Sequence, residues 1–238
     1  MTGASEPRVA VLGYHKIGIS PADWESWYYV PQSVLEQHVA LLLDAGWQPL
    51  DPDLLLAGLE DPGALPERSF LITFDDAYRS LRVEALPWLI DHGIPAVVFV
   101  PTAYVGGLNE FDRDLEPEER ILGWDDLHVL NSRGVWIQSH AVSHRAFSEL
   151  TQPERDAELR DSKSAIEQRL GGRVNLLSYP YGDPGEEGIA PAELLRTAGY
   201  QAAFGYGGGP FGPRRADRFL LPRIAVGPDC DLAAAIRQ

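Results

Sequence analysis

The chain has 238 residues, 45% of them apolar and 23% charged, the balance of a globular protein with one large domain or two small ones. Its formal net charge of −15 argues against nucleic acid or an anionic membrane surface as partner, because both repel an acidic face. Cys230 is the one cysteine, which excludes an internal disulfide and a thiolate metal cluster.

Residues 1–16 hold no basic segment followed by a long apolar one, so no signal peptide is expected and the chain reads as cytoplasmic. Residues 8–14 (RVAVLGY) predict a first strand, which runs into His15 and Lys16 instead of ordinary turn residues. Residues 31–47 predict a helix, with Pro31 at its start and Gly46 at its end. A strand follows over 69–74 (SFLITF), then a helix over 78–93 in which Pro87 should start a new segment or impose a kink. Residues 94–100 predict a strand, 124–134 a helix and 135–139 a strand. The stretch 94–109, with two prolines and a Gly-Gly, reads as strand plus loop and not as a membrane span. The helix over 151–172 is well signalled, by Thr151 as cap, an acidic first turn and Gly171 after its end. Strands over 174–179 and 200–206 flank a helix over 191–199, and 218–226 (RFLLPRIAV) predicts a last strand before a short C-terminal helix.

Strands alternating with helices imply parallel pairing, hence an α/β barrel or a doubly wound sheet. No Gly-x-Gly-x-x-Gly follows the first strand and no phosphate-loop pattern occurs, which favours the barrel. Neither linker nor repeat interrupts the chain, so a single domain over 1–238 is expected.

In an α/β barrel, chemistry collects past the C-terminal ends of the strands. There the sequence sets His15, then Asp75 and Asp76, then His140 with His144, then Tyr179–Pro180–Tyr181–Gly182, and Arg223 on the last strand. Each has a plainer reading alone: adjacent aspartates cap helices, an H-x-x-x-H pair arises by coincidence, Tyr-Pro-Tyr-Gly makes a turn and an arginine makes a surface ion pair. Converging on one rim they form a coherent set. Two imidazoles and one carboxylate, leaving a coordination position open, are the ligands of a catalytic Zn²⁺ or similar divalent ion. The second carboxylate is then free to act as a base.

At these residues the chain resembles the polysaccharide deacetylases of carbohydrate esterase family 4, the NodB-homology domain. Thr73–Asp76 (TFDD), residues 139–144 (SHAVSH) and 178–182 (SYPYG) match its motifs in order, and the similarity runs from YHKIG to LPRIAV. The resemblance implies a distorted, incomplete (β/α)7 barrel with Asp75 as general base. Asp76, His140 and His144 would be ligands of a divalent metal, Zn²⁺ with Co²⁺ or Ni²⁺ as alternatives, and Tyr181 would offer its backbone N–H to an oxyanion. The chain departs from the family pattern where Ala141 follows the first metal histidine, where Ser178 stands at the place of an arginine that pairs with the catalytic aspartate, and where no histidine follows His144. A permuted subset, similar to the deacetylases of exported poly-N-acetylglucosamine, carries a YHxI motif first, and YHKI fits it.

His15 then takes the place of the general acid, while Lys16 points to the opposite face of the extended strand. Arg223 could supply the guanidinium missing at Ser178 and orient Asp75. The loop 104–124 is expected to shape specificity, with Asn109, Phe111 and Asp112 meeting the sugar, or else to be a plain acidic surface loop. The function implied is metal-dependent removal of an N-acetyl group from an amino sugar or polysaccharide. The alternatives are a cytosolic deacylase of a small glycoside, nucleotide sugar or lipid-linked sugar, and a non-catalytic glycan-binding module.

Overall fold

The computed structural model describes residues 6–185 and 191–237. The expectation of no signal peptide rests partly on residues 1–5, outside the described ones. In chain order the elements begin with β1 (Arg8–Tyr14), β2 (Lys16–Ile17), β3 (Tyr29–Val30), α1 (Gln32–Asp44), β4 (Gln48–Pro49) and α2 (Pro52–Glu60). Next come β5 (Arg68–Phe74), α3 (Ser80–Val83), α4 (Ala85–Asp91), β6 (Ala96–Val100), α5 (Trp124–Ser132) and β7 (Trp136–Ser139). The chain ends with α6 (Gln152–Leu170), β8 (Leu176–Ser178), α7 (Pro191–Ala198), β9 (Ala202–Phe204), β10 (Ile224–Ala225) and α8 (Leu232–Ala235).

One parallel sheet runs in the order β10-β1-β5-β6-β7-β8-β9 and curls until its two ends approach. β4 pairs with 69–70 of β5, on the edge that β6 takes over from Ile72 onward. The gap between β9 and β10 is bridged by an irregular segment: the Ala203 N–H donates to Arg218 at 2.9 Å, Leu221 to Ala203 at 2.8 Å and Gly205 to Leu221 at 3.0 Å. Only Ile224–Ala225 of the strand expected over 218–226 forms. Pro222 has no N–H to offer a ladder, and the chain there is crossing from β9 to β1.

Period-two alternation divides the strands between two apolar clusters. Ala10, Leu12, Phe70, Ile72, Phe74 and Val98 face outward to the helices, while Val9, Val11, Leu71, Val97, Phe99, Leu176 and Phe204 fill the curl. Carried one step beyond each strand, that inner alternation delivers His15 after Gly13 and Asp75 after Thr73 to the C-terminal rim.

The helix expected over 78–93 is broken into α3 and α4 at Glu84. Pro87 explains the break, since its ring collides with the carbonyl four residues back, that of Val83, the last residue of α3. α2 is an element without a sequence expectation, although Asp51 accepts from the Leu54 N–H at 2.8 Å and Pro52 opens the first turn. Among the described residues no helix is long and apolar enough to cross a membrane.

Candidate active site

Asp75 and Asp76 leave β5 in different directions. Asp75 keeps the inward alternation, whereas Asp76 adopts φ 68° and turns its carboxylate toward the end of β7. Six non-glycine residues among the described ones have positive φ, and five of them are Asp76, Ala77, Ala141, His144 and Tyr181. A backbone conformation that costs energy at each is held by its surroundings where polar groups converge.

Arg223 grips Asp75 with both arms, Nη1 donating to Oδ1 at 2.8 Å and Nη2 to Oδ2 at 2.7 Å. The same guanidinium donates to Ser178 Oγ at 2.8 Å and Thr73 Oγ1 at 3.2 Å, and its Nε donates to the Gly205 carbonyl at 2.8 Å. Arg223 is wholly buried and Asp75 nearly so. Burial alone would push the Asp75 carboxyl up, but the Arg223 charge, then His140, outweigh it and hold the group below the usual carboxylate range. Ser178, at the place of the family's arginine, donates to Asp75 Oδ2 at 3.2 Å.

Asp76, His140 and His144 each turn one ligand atom to a common point, all within 4.8 Å of one another. Asp76 Oδ1 lies 3.4 Å from His140 Nε2 and 3.1 Å from His144 Nε2, yet no hydrogen bond satisfies this buried oxygen. His140 Nδ1 sits 2.7 Å from the Ser178 carbonyl, so Nδ1 carries the proton and Nε2 keeps its lone pair for the shared point. A carboxylate oxygen without a donor, facing two imidazole nitrogens in a buried pocket, fits a divalent cation. Burial opposes ionisation of Asp76, but His144 and His140 hold it well below its ordinary value.

The H-x-x-x-H loop is anchored from α6. Glu158 accepts from the Val142 N–H at 2.6 Å, the Ser143 N–H at 2.9 Å and the Ser143 hydroxyl at 2.5 Å. Ala141 contributes no hydroxyl, and its N–H is taken by Ser139 Oγ at 3.1 Å.

His15 stands across from this centre, Nε2 4.0 Å from Asp75 Oδ2 and Nδ1 3.5 Å from the Tyr206 hydroxyl. Its ring lies between those of Tyr28 and Tyr206, with centroids 4.7 and 5.2 Å away. Burial lowers its pKa from the ordinary imidazole value, against the pull of Asp76 and Asp75. Tyr181 sets its ring edge against His144 at 4.7 Å, and among the described residues no hydrogen bond engages its backbone N–H. A cavity of about 340 Å³ joins His15, Asp75, the three candidate ligands, Tyr181 and Tyr206.

The loop 104–124 divides the roles expected of it. Asp112 lines the cavity and Phe111 lies over His144 with ring centroids 4.1 Å apart. Asn109 does not face the cavity. It is buried, and its amide donates to the Pro117 carbonyl at 3.0 Å and accepts from the Glu119 N–H at 2.7 Å, fixing the loop's own shape.

Residues 63–203 match the family model of the polysaccharide deacetylases. The chain belongs to the polysaccharide deacetylase family. The chain is 27% identical over 93% of its length to YxkH, a candidate polysaccharide deacetylase of Bacillus subtilis (strain 168), and spans 72% of that relative. It is 25% identical over 71% of its length to a poly-beta-1,6-N-acetyl-D-glucosamine N-deacetylase of Staphylococcus epidermidis, of which it spans 58%. Among solved structures, the Streptococcus pyogenes deacetylase PplD in complex with acetate superposes with a TM-score of 0.81 at 18% identity, over 96% of both chains. IcaB from Ammonifex degensii does so at 0.75 and 23%, over 94% of both. These two likenesses establish the fold, a curled (β/α) barrel.

Proposed function

We propose that this deacetylase removes the N-acetyl group from an amino sugar of a glucosamine-type glycan and depends on a divalent metal. One observation carries the reading: a partnerless buried carboxylate oxygen and two imidazole nitrogens share a point, beside a second carboxylate clamped in its ionised form. The relatives named as poly-N-acetylglucosamine N-deacetylases support the substrate class.

Asp76, His140 and His144 would hold the ion. A divalent ion there supplies Lewis-acid polarisation of the amide carbonyl and makes water acidic enough to react near neutral pH. Asp75, held ionised by Arg223, takes a proton from the attacking water. The Tyr181 N–H donates to the carbonyl oxygen as it gains charge. His15, which lines the same cavity as the metal histidines, gives a proton to the sugar nitrogen as the C–N bond breaks, leaving acetate and a free amine. Arg223 positions Asp75 and does not meet the substrate.

The test is acetate release after chelator treatment and reloading with Zn²⁺, Co²⁺ or Ni²⁺, on poly-N-acetylglucosamine oligomers, chito-oligosaccharides and nucleotide-linked N-acetyl sugars. Release from glycan oligomers only in reloaded protein is expected, with His140→Ala losing both metal and activity. A chain that binds metal and glycan but releases no acetate is a binding module instead. Release from nucleotide-linked sugars alone moves the substrate to small metabolites.

A further inference from the structure

Lys16 follows the candidate general acid and is fully buried, yet it makes no contact with either aspartate of the site. Its ammonium donates to Glu116 Oε2 at 2.7 Å and lies 4.9 and 4.8 Å from the ring centres of Tyr29 and Tyr78. Ser26 donates to the same Glu116 oxygen, and Tyr29 sends its hydroxyl to Glu119. Glu116 stands midway along the loop whose Phe111 covers His144, and it lines the catalytic cavity together with Asp112 and Leu115.

Lys16 is wholly buried and Glu116 only partly so. A buried ammonium left without a partner is strongly penalised, so Lys16 disfavours arrangements that withdraw the Glu116 carboxylate from it. Here the pair joins residues 100 apart in sequence. One end lies in β2, directly after His15, and the other in the loop that forms the cavity's wall.

We propose that the Lys16–Glu116 pair is a positioning device that ties the 104–124 loop to the strand directly following the general acid, and so sets glycan affinity through Phe111, Asp112 and Leu115. Lys16 acts on the substrate through the loop and takes no part in proton transfer. The kinetic side of this proposal rests on the N-deacetylase reading. The loop's attachment does not, and it is measured separately.

The experiment compares Lys16→Met, Glu116→Gln and the double variant with the unaltered, metal-loaded chain. Three readouts are used: KM and kcat for a poly-N-acetylglucosamine oligomer, hydrolysis of 4-nitrophenyl acetate, and the rate of tryptic cleavage after Arg113, which is exposed on the loop. Lys16→Met is expected to raise KM for the oligomer about tenfold or more, because small misplacements of binding groups cost that much. It should change aryl-ester hydrolysis little and speed the cut at Arg113. Glu116→Gln should do the same, and the double variant should be no worse than either, since all three remove one contact. If Lys16→Met fails to fold, Glu116→Gln carries the comparison. Unchanged cleavage at Arg113 overturns the attachment, even for a chain that deacetylates nothing. Faster cleavage with unchanged KM overturns the link to affinity, and a fall in kcat on both substrates with KM unchanged would put Lys16 in the catalytic centre.

Discussion

Adjacent aspartates with different partners are the chemical heart of the site. Asp75 has both oxygens on a guanidinium, while Asp76 keeps one oxygen free for the two imidazoles. Asp75→Asn should therefore retain metal, because no proposed ligand is lost, while kcat falls by about 10²–10⁴-fold, the usual worth of a general base. Metal analysis beside acetate release checks it, and an active Asp75→Asn variant would reassign the base. For His15→Ala, retained metal and fold are expected, with kcat on N-acetyl glycans down by roughly 10²-fold or more. The loss should be smaller on 4-nitrophenyl acetate, whose leaving group needs no proton. Because burial lowers the His15 pKa, kcat/KM should fall with rising pH sooner than an ordinary imidazole would impose, and His15→Ala should remove that fall. Equal losses on both substrates would leave His15 a structural residue. That these residues meet at one rim was legible because each follows an apolar strand run and the motifs fall in the order of the resembled family, although each alone has a plainer structural use. Tyr28, Tyr206 and Glu158 were not, since each acts through a contact distant in sequence and sits in an unexceptional local pattern.

At the level of elements, the turn after β8 carries more than its length suggests. Gly182 has φ 68°, and a methyl group there would stand 2.6 Å from the Tyr206 backbone nitrogen. Tyr206 packs on His15, and the residue preceding Gly182, Tyr181, contributes the candidate oxyanion N–H. Gly182→Ala should cost about 1–3 kcal/mol through strain and overpacking, or roughly 2–12 °C in Tm. It should also lower kcat more than His15→Ala does on the aryl ester, since two groups move together. Calorimetry and both substrates test this, and an unchanged Tm would show that the turn relaxes freely. Strands and long helices were legible wherever period two or a full cap signal was present. In α6 the Glu154 carboxylate accepts from the Thr151 N–H and hydroxyl, both at 2.7 Å, and Gly171 ends the helix at φ 73°. The short β4 and the irregular closure over 218–223 were not legible, because both are defined by partners and not by periodicity.

Across the whole molecule, Arg223 joins the curl to the chemistry. From the closing segment it reaches Gly205 beyond β9, Ser178 at the end of β8, and Thr73 and Asp75 at the end of β5. Removing it leaves Asp75 buried without its counter-charge, a change that typically costs about 3–5 kcal/mol, so Arg223→Met should melt about 6–20 °C lower at neutral pH. The pH dependence separates this cause from simple loss of packing. In the unaltered chain the Asp75 pKa is depressed, so its contribution is present above the unfolded value of about 3.9 and fades as pH falls through the lower folded value. Without Arg223, burial loses its largest counterweight, and the folded pKa is expected to rise above the unfolded one. The sign then reverses: the penalty is full above the raised pKa and relieved as the carboxyl takes up its proton. The Tm gap between the two chelated proteins should accordingly be widest near pH 7 and narrow toward pH 4. Asp75→Asn placed on the Arg223→Met background should recover much of the loss at neutral pH. A gap independent of pH, with no recovery in the double variant, would make Arg223 a packing residue of the barrel's closure and detach it from the state of Asp75.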